Sequence, residues 1–176
     1  QAIARMRLAT KDIQMAEQYG GKCTWKNFPV AYQLGVCDSL HASLQKWFSL
    51  SSETGGLDMT YFYTEFSIKE GQMQEQGTKL FLYQEVGPFI SSDFHLEQYP
   101  QTAPVPCIYT ILESENIYPD EETACQMVRW GKEQGAEPTG VLYSNNMTSF
   151  LGEDSNIYFL ELYMPCLLYT SPSPRD

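Results

Sequence analysis

The sequence predicts an α+β fold: a tandem β-α-β-β repeat forming one antiparallel sheet with two helices on one face, preceded by a short N-terminal helix. Three features of the 176-residue chain point there. Four segments (TYFYTEFSI, TKLFLYQEV, VLYSNNMTSF and SNIYFLELYMP) alternate in polarity as half-buried strands do. Two others carry apolar residues at helical spacing. The order strand, helix, strand, strand occurs twice: Gln45-Lys46-Trp47 and Val128-Arg129-Trp130 stand at equivalent places, and Phe81-Leu82 and Phe159-Leu160 recur in the closing strands. One such unit has too small a sheet to bury its helix, so joining the two completes the core.

In chain order, Ala2, Met6, Ala9, Ile13 and Ala16 recur at steps of four and three, the seam of a coiled-coil helix, and Gly20-Gly21 stops it. Because Gln1 falls inside that pattern, the chain reads as a fragment and residues 1–21 as the end of a longer coiled-coil helix, the other reading being an ordinary amphipathic helix on the domain surface. KCTWKNFPVAYQLGV reads as a strand, with Pro29 at an edge or bulge. Asp38 or Ser39 can cap a helix whose apolar face is Leu40, Leu44, Trp47 and Phe48, closed by Gly55-Gly56. A β-pair around the polar turn KEGQMQEQG follows, then a Pro- and polar-rich connection. The second unit repeats the order: PCIYTILES as strand, DEETACQMVRWGKEQGAEPTG as a helix with an acidic first turn, and a β-pair around LGEDS. The folded domain is expected over 22–165. Residues 166–176 (CLLYTSPSPRD) are Ser/Pro-rich, read as an appendage after a strand end at Pro165, and are left out of the predicted fold.

A formal charge of −11 argues against nucleic-acid binding by this segment, since phosphate contacts need Lys and Arg. The charge is uneven, +3 over residues 1–26 and −14 over the rest. The five cysteines show no CxxC or Cys/His ligand spacing and read as reduced thiols of a cytoplasmic protein. No apolar run reaches the roughly 18 residues that a membrane helix needs. His41 and His95 have no metal-ligand spacing, and no nucleophile elbow, phosphate loop or dinucleotide fingerprint is present, so neither a metal, a cofactor nor a catalytic set is expected.

The second half carries a resemblance. A strand, a helix with Trp130, Glu137-Pro138-Thr139-Gly140, Tyr143 and the run Tyr158-Phe159-Leu160-Glu161-Leu162-Tyr163-Met164-Pro165 are similar to the GyrI-like effector-binding domain. That family includes the C-terminal ligand domains of MerR-type and AraC-type transcription regulators. The resemblance is good over 105–165 and looser over 22–90. It implies a small-molecule effector in a cleft between the two helices, with Glu161 meeting cationic or polar compounds. It also implies a homodimer through the N-terminal helix of the full-length protein, and DNA contact only through an upstream domain. A stand-alone binding protein, and a small hydrolase using a Tyr/Glu pair, are the other functions the family offers.

The residues themselves add to this. Alternation along the last strand puts Ile157, Phe159, Glu161 and Tyr163 on one face and Tyr158, Leu160 and Leu162 on the other. A carboxylate between apolar neighbours needs a partner: a ligand cation over aromatic rings, a protein donor, or water on an open face. Tyr63, Tyr109, Tyr143 and Tyr163 are candidates for lining the same cleft, with Trp47 and Trp130 as its helix walls, although each ring also suits a core. Glu65, flanked by Tyr63 and Ser67 on its face, is a second acidic candidate.

Overall fold

In the computed structural model, which describes residues 2–37, 45, 49, 60–90, 94–147 and 157–168, the chain is α+β. Helix α1 (Ala2–Tyr19) is followed by β1 (Thr24–Asn27) and β2 (Ala31–Cys37), then β3 (Thr60–Lys69) and β4 (Gln72–Tyr83). After two 3-10 turns come β5 (Pro106–Ser114), α2 (Glu121–Glu133), β6 (Ala136–Pro138), β7 (Val141–Asn146) and β8 (Tyr158–Leu168). The helix expected over 39–55 lies outside the described residues, apart from Gln45 and Ser49, which are helical and exposed.

Every strand pairing is antiparallel, in the order β1-β5-β8-β7-β3-β4-β2, with β6 pairing β8 off that path. The duplication is legible in that order. β5-β8-β7 and β2-β4-β3 are the same three-strand arrangement, joined back to back where β7 meets β3, with Tyr63 opposite Asn145 and Thr64 opposite Ser144.

The segment expected as a single first strand is two strands, broken at Phe28-Pro29-Val30. β1 pairs β5 at one edge of the sheet, and β2 pairs β4 at the other. Seven strands laid flat would hold those edges about 29 Å apart. The link from Asn27 to Ala31 can reach only about 15 Å. The sheet must therefore curl until its edges approach, and the link is bonded on both sides: Phe28 N donates to Val105 O at 2.8 Å and Gln84 N donates to Val30 O at 3.1 Å. Pro29, without an N–H, suits a point where the ladder has to break.

The curl creates two unlike faces. On the convex face, Leu160, Leu162 and Met164 of β8, Ile108 of β5 and Leu142 of β7 pack with Ala124 and Met127 of α2. α2 is amphipathic and N-capped by Asp120, whose Oδ1 accepts from Thr123 N at 2.7 Å. Gly131 lets it sit close to β5, since a Cβ there would fall 2.4 Å from Ile108 Cδ1. The concave face holds Phe28, Tyr63, Phe81, Tyr109, Ile111 and Tyr163, and the last turns of α1 bring Met15, Ala16 and Tyr19 onto it. A third cluster, Leu34, Leu80, Leu82, Val86 and Ile90, lies under the connection carrying Phe94 and Tyr99, whose rings stack at 5.3 Å.

Two boundaries differ from the sequence reading. The β3–β4 turn is only Glu70-Gly71, both with positive φ as a tight primed hairpin turn requires, so most of KEGQMQEQG is paired strand. β8 does not stop at Pro165. It runs to Leu168, and β6, a strand the sequence reading did not predict, pairs Pro138 with Cys166, Glu137 with Leu167 and Ala136 with Leu168. An edge partner can take up a proline-interrupted strand end, which composition alone does not show. Cys166 is buried. A chain ending after Pro165 should therefore be less stable than one ending after Leu168, by about 2 kcal/mol from lost burial and ladder bonds. Urea midpoints of the two truncations check this; equal midpoints would show that the β6 pairing contributes nothing.

Candidate functional site

Glu161 lies on the concave face of β8 and is 4% exposed. The alternation read from sequence holds: Phe159 and Tyr163 share its side, while Leu160 and Leu162 point to α2. Three neighbouring strands supply donors to the carboxylate. Tyr109 of β5 donates to Oε2 at 2.6 Å, Tyr63 of β3 donates to Oε1 at 3.2 Å, and Asn145 Nδ2 of β7 donates to Oε1 at 3.3 Å. The Tyr63 and Tyr83 hydroxyls also hydrogen-bond to each other. Because Tyr63 gives its one proton to Glu161, Tyr83 must donate to Tyr63, so a hydroxyl chain runs from Tyr83 through Tyr63 to the carboxylate.

All the donors recorded on Glu161 are neutral, and none of the ion pairs among the described residues includes it. Such bonds satisfy the lone pairs without cancelling the charge, which faces a cavity that Lys26 also lines. The charge is felt by its neighbours. Burial, and after it the charge of Glu161, pushes the Tyr109 and Tyr163 hydroxyls far above the usual tyrosine range. Tyr63 is raised by burial, then by Tyr83 and Glu161; Tyr83 is raised by burial, then by Glu161.

Glu161 opens on a cavity of about 280 Å³ between α1 and the concave face. Tyr61, Tyr83 and Tyr163 form aromatic walls, Lys26 of β1 stands among them, and Met15 of α1 lies across the opening. At the rim Lys11 of α1 reaches Glu85 at 3.1 Å, tying the helix to the turn after β4. The rings are held by contact with one another. Tyr61 stacks on Tyr83 at 4.4 Å, Tyr109 meets Tyr163 at 4.8 Å, and Tyr19 stands edge-on to Tyr109 at 5.2 Å.

Of the expected residues, Tyr63, Tyr109, Tyr163 and Phe159 gather with Glu161 on this face, and Tyr143 stands nearby in the same cluster. Glu65 has its own partner, Lys79 at 2.9 Å, beneath the Tyr143 ring. Trp130 is not a wall of this cavity. It sits on α2, across the sheet, against Trp25 at 5.3 Å. The cavity thus lies under α1 on the face opposite α2, and not in a cleft that α2 borders; Trp47 lies outside the described residues. Sequence reasoning missed Tyr83, Asn145, Tyr61 and Lys26. The signal for Tyr83 was present: Phe81-Leu82-Tyr83 and Phe159-Leu160-Glu161 match position for position, so Tyr83 is the first unit's counterpart of Glu161.

No protein-family model matches the sequence, and none of the curated proteins matches it. Among solved structures the fold is similar to the EcmrR C-terminal domain, with a TM-score of 0.52 at 10% identity over 84% of this chain and 98% of that one. It is also similar to the EcmrR chain in the EcmrR–DNA complex EcmrR-RPo, with a TM-score of 0.53 at 12% identity over 95% of this chain, which spans 66% of that chain's length. At such identities the likeness is one of fold.

Proposed function

We propose that this chain is the small-molecule-sensing domain of a MerR-type transcription regulator, of GyrI-like architecture, and that its effector is a lipophilic cation seated against Glu161. The observation that carries the reading is the buried carboxylate itself. Among the described residues its hydrogen-bond donors are all neutral; it is ringed by tyrosines and open to a cavity of a size for a small organic molecule. The likeness of fold to EcmrR, one of whose structures is a DNA complex, supports the regulator setting. In the full-length protein α1 would continue into the dimer interface, and Ile13, 42% exposed, is free to take part. With 22 acidic against 11 basic residues, this segment suits sensing, and DNA would be met by an upstream domain in a cytoplasmic protein. The three hydrogen bonds that hold Glu161 at the cavity support reading it as a binding group.

The test uses thioflavin T, a flat lipophilic cation, and its uncharged parent lacking the ring N-methyl group, measured by equilibrium dialysis. Glu161→Gln keeps the shape and removes the charge. The cation should bind about 30-fold weaker, and the neutral parent should change less than about threefold. Equal losses for both would make Glu161 a structural residue, and no loss for either would put the ligand elsewhere.

A further inference from the structure

We propose that Lys26 is a tethered cation that occupies the aromatic cage beside Glu161 and thereby sets which ligands the cavity accepts; this rests on the reading of that cavity as a cation site. β1 is an edge strand whose residues alternate in exposure. Trp25 turns outward to Trp130, while Lys26, half-buried, turns toward the tyrosines. Its ammonium stands 4.4 Å from the centroid of the Tyr109 ring, 5.7 Å from that of Tyr19 and 5.8 Å from that of Tyr163, all within cation–π range. Tyr109 is the residue whose hydroxyl makes the shortest bond to Glu161. Lys26, Tyr163 and Glu161 line one cavity. The protein's own ammonium therefore sits where an incoming cation would gain most from these rings.

An incoming cation gains the cage only while Lys26 is out of it, so its apparent affinity is reduced by the fraction of time the cage is open. A small hydrophilic ammonium gains from the rings little more than Lys26 gives up. A larger lipophilic cation also buries apolar surface against Met15 and Tyr61, which Lys26 does not. Lysine suits this role because its ammonium is compact and strongly hydrated on a flexible stem. Lys26 thus acts as a filter against simple amines.

Equilibrium dialysis of the intact chain with thioflavin T, its neutral parent and tetramethylammonium tests this. Lys26→Met keeps the length of the stem and removes the charge. It should tighten thioflavin T about tenfold, leave the neutral parent within about twofold, and turn tetramethylammonium from a silent additive into a competitor. Lys26→Arg should restore exclusion of tetramethylammonium. Lys11→Met removes another positive charge from the same cavity, one that is paired with Glu85 and away from the rings, and should change affinity by less than about twofold. Equal gains for Lys26→Met and Lys11→Met would overturn the proposal, as would no gain with Lys26→Met while Glu161→Gln still weakens the dye. If the dye is indifferent to Glu161, the cation-site reading fails, and the position of Lys26 is decided by NMR of the free protein. Its Hε protons should be ring-current shifted upfield and lose that shift in Tyr109→Leu; ordinary lysine shifts would overturn the proposal.

Discussion

Above pH 10 the fold should lose stability steeply, by about 4 kcal/mol per pH unit, and it should lose its tyrosine protons and its sheet together. Tyr63, Tyr109 and Tyr163 are each 2% exposed or less. Burial, with the Glu161 charge adding to it, holds all three hydroxyls protonated well above the usual range. In the unfolded chain the same groups ionise near pH 10. The sign follows from proton counting. Below pH 10 both states keep the protons and the stability is fully present. Above it the unfolded chain releases three protons that the folded chain keeps, so rising pH favours unfolding until the folded-state values are reached. Each such proton is worth about 1.4 kcal/mol per pH unit, and a domain holding roughly 5–15 kcal/mol would be exhausted within a few units. Tyr83, also raised, lines the cavity and adds to the slope in proportion to its shielding. Urea unfolding between pH 8 and 11 measures the slope. Tyr109→Phe should lower it by about one third, in addition to its effect on Glu161. If all 12 tyrosines ionised near pH 10 by absorbance while the far-ultraviolet dichroism stayed intact, the tight packing around Glu161 would be wrong.

Much of this was legible in sequence because it depends on local periodicity. Alternation along β8 assigns Glu161, Tyr163 and Phe159 to one face whatever the sheet does in three dimensions. The helical spacing of Ala124, Met127 and Gly131 similarly defines the buried side of α2. Periodicity does not say which of two apolar sheet faces a helix covers. That is why Trp130, on a correctly predicted helix, was grouped with residues that line a cavity on the opposite face. Nor does it show that one apolar run feeds two edges, which is decided by long-range pairing of β1 with β5 and β2 with β4. Asn145 and Lys26 were missed for a related reason. A polar residue in a strand reads as solvent-facing; long-range register sets Asn145 opposite Glu161, and the pairing of β1 with β5 brings Lys26 to the tyrosine rings. The tyrosines were easier, since aromatics belong either in a core or around a cavity, and here Tyr63 and Tyr109 pack in the core while Tyr163 also lines the cavity.

The curl depends most on Phe28, and Phe28→Ala should cost about 3–5 kcal/mol, with loss of the cavity before loss of the sheet. Phe28 is buried in the link between the two edge strands. Its ring meets Tyr63 of β3 at 5.2 Å, Phe81 of β4 at 5.6 Å, Tyr143 of β7 at 5.4 Å and Tyr163 of β8 at 5.1 Å. One side chain thus bridges four strands from inside the curve. Truncation leaves a void too large for these rings to fill without moving, and two of them, Tyr63 and Tyr163, frame Glu161. The backbone bonds of the link remain, because Phe28 N and Val30 O do not depend on the side chain. β3–β4 and β5–β8 should also keep their ladders. In Phe28→Ala, the thermal midpoint should fall by roughly 10 °C or more while dichroism at low temperature stays native-like. Binding of thioflavin T should weaken even at temperatures where the protein is folded. Phe28→Leu, which refills most of the volume, should recover most of the stability and leave the ring contacts short of one partner. A wild-type midpoint in Phe28→Ala would mean that the edges are held together by their backbone bonds alone, and that the aromatic cluster follows the curl of the sheet and does not set it.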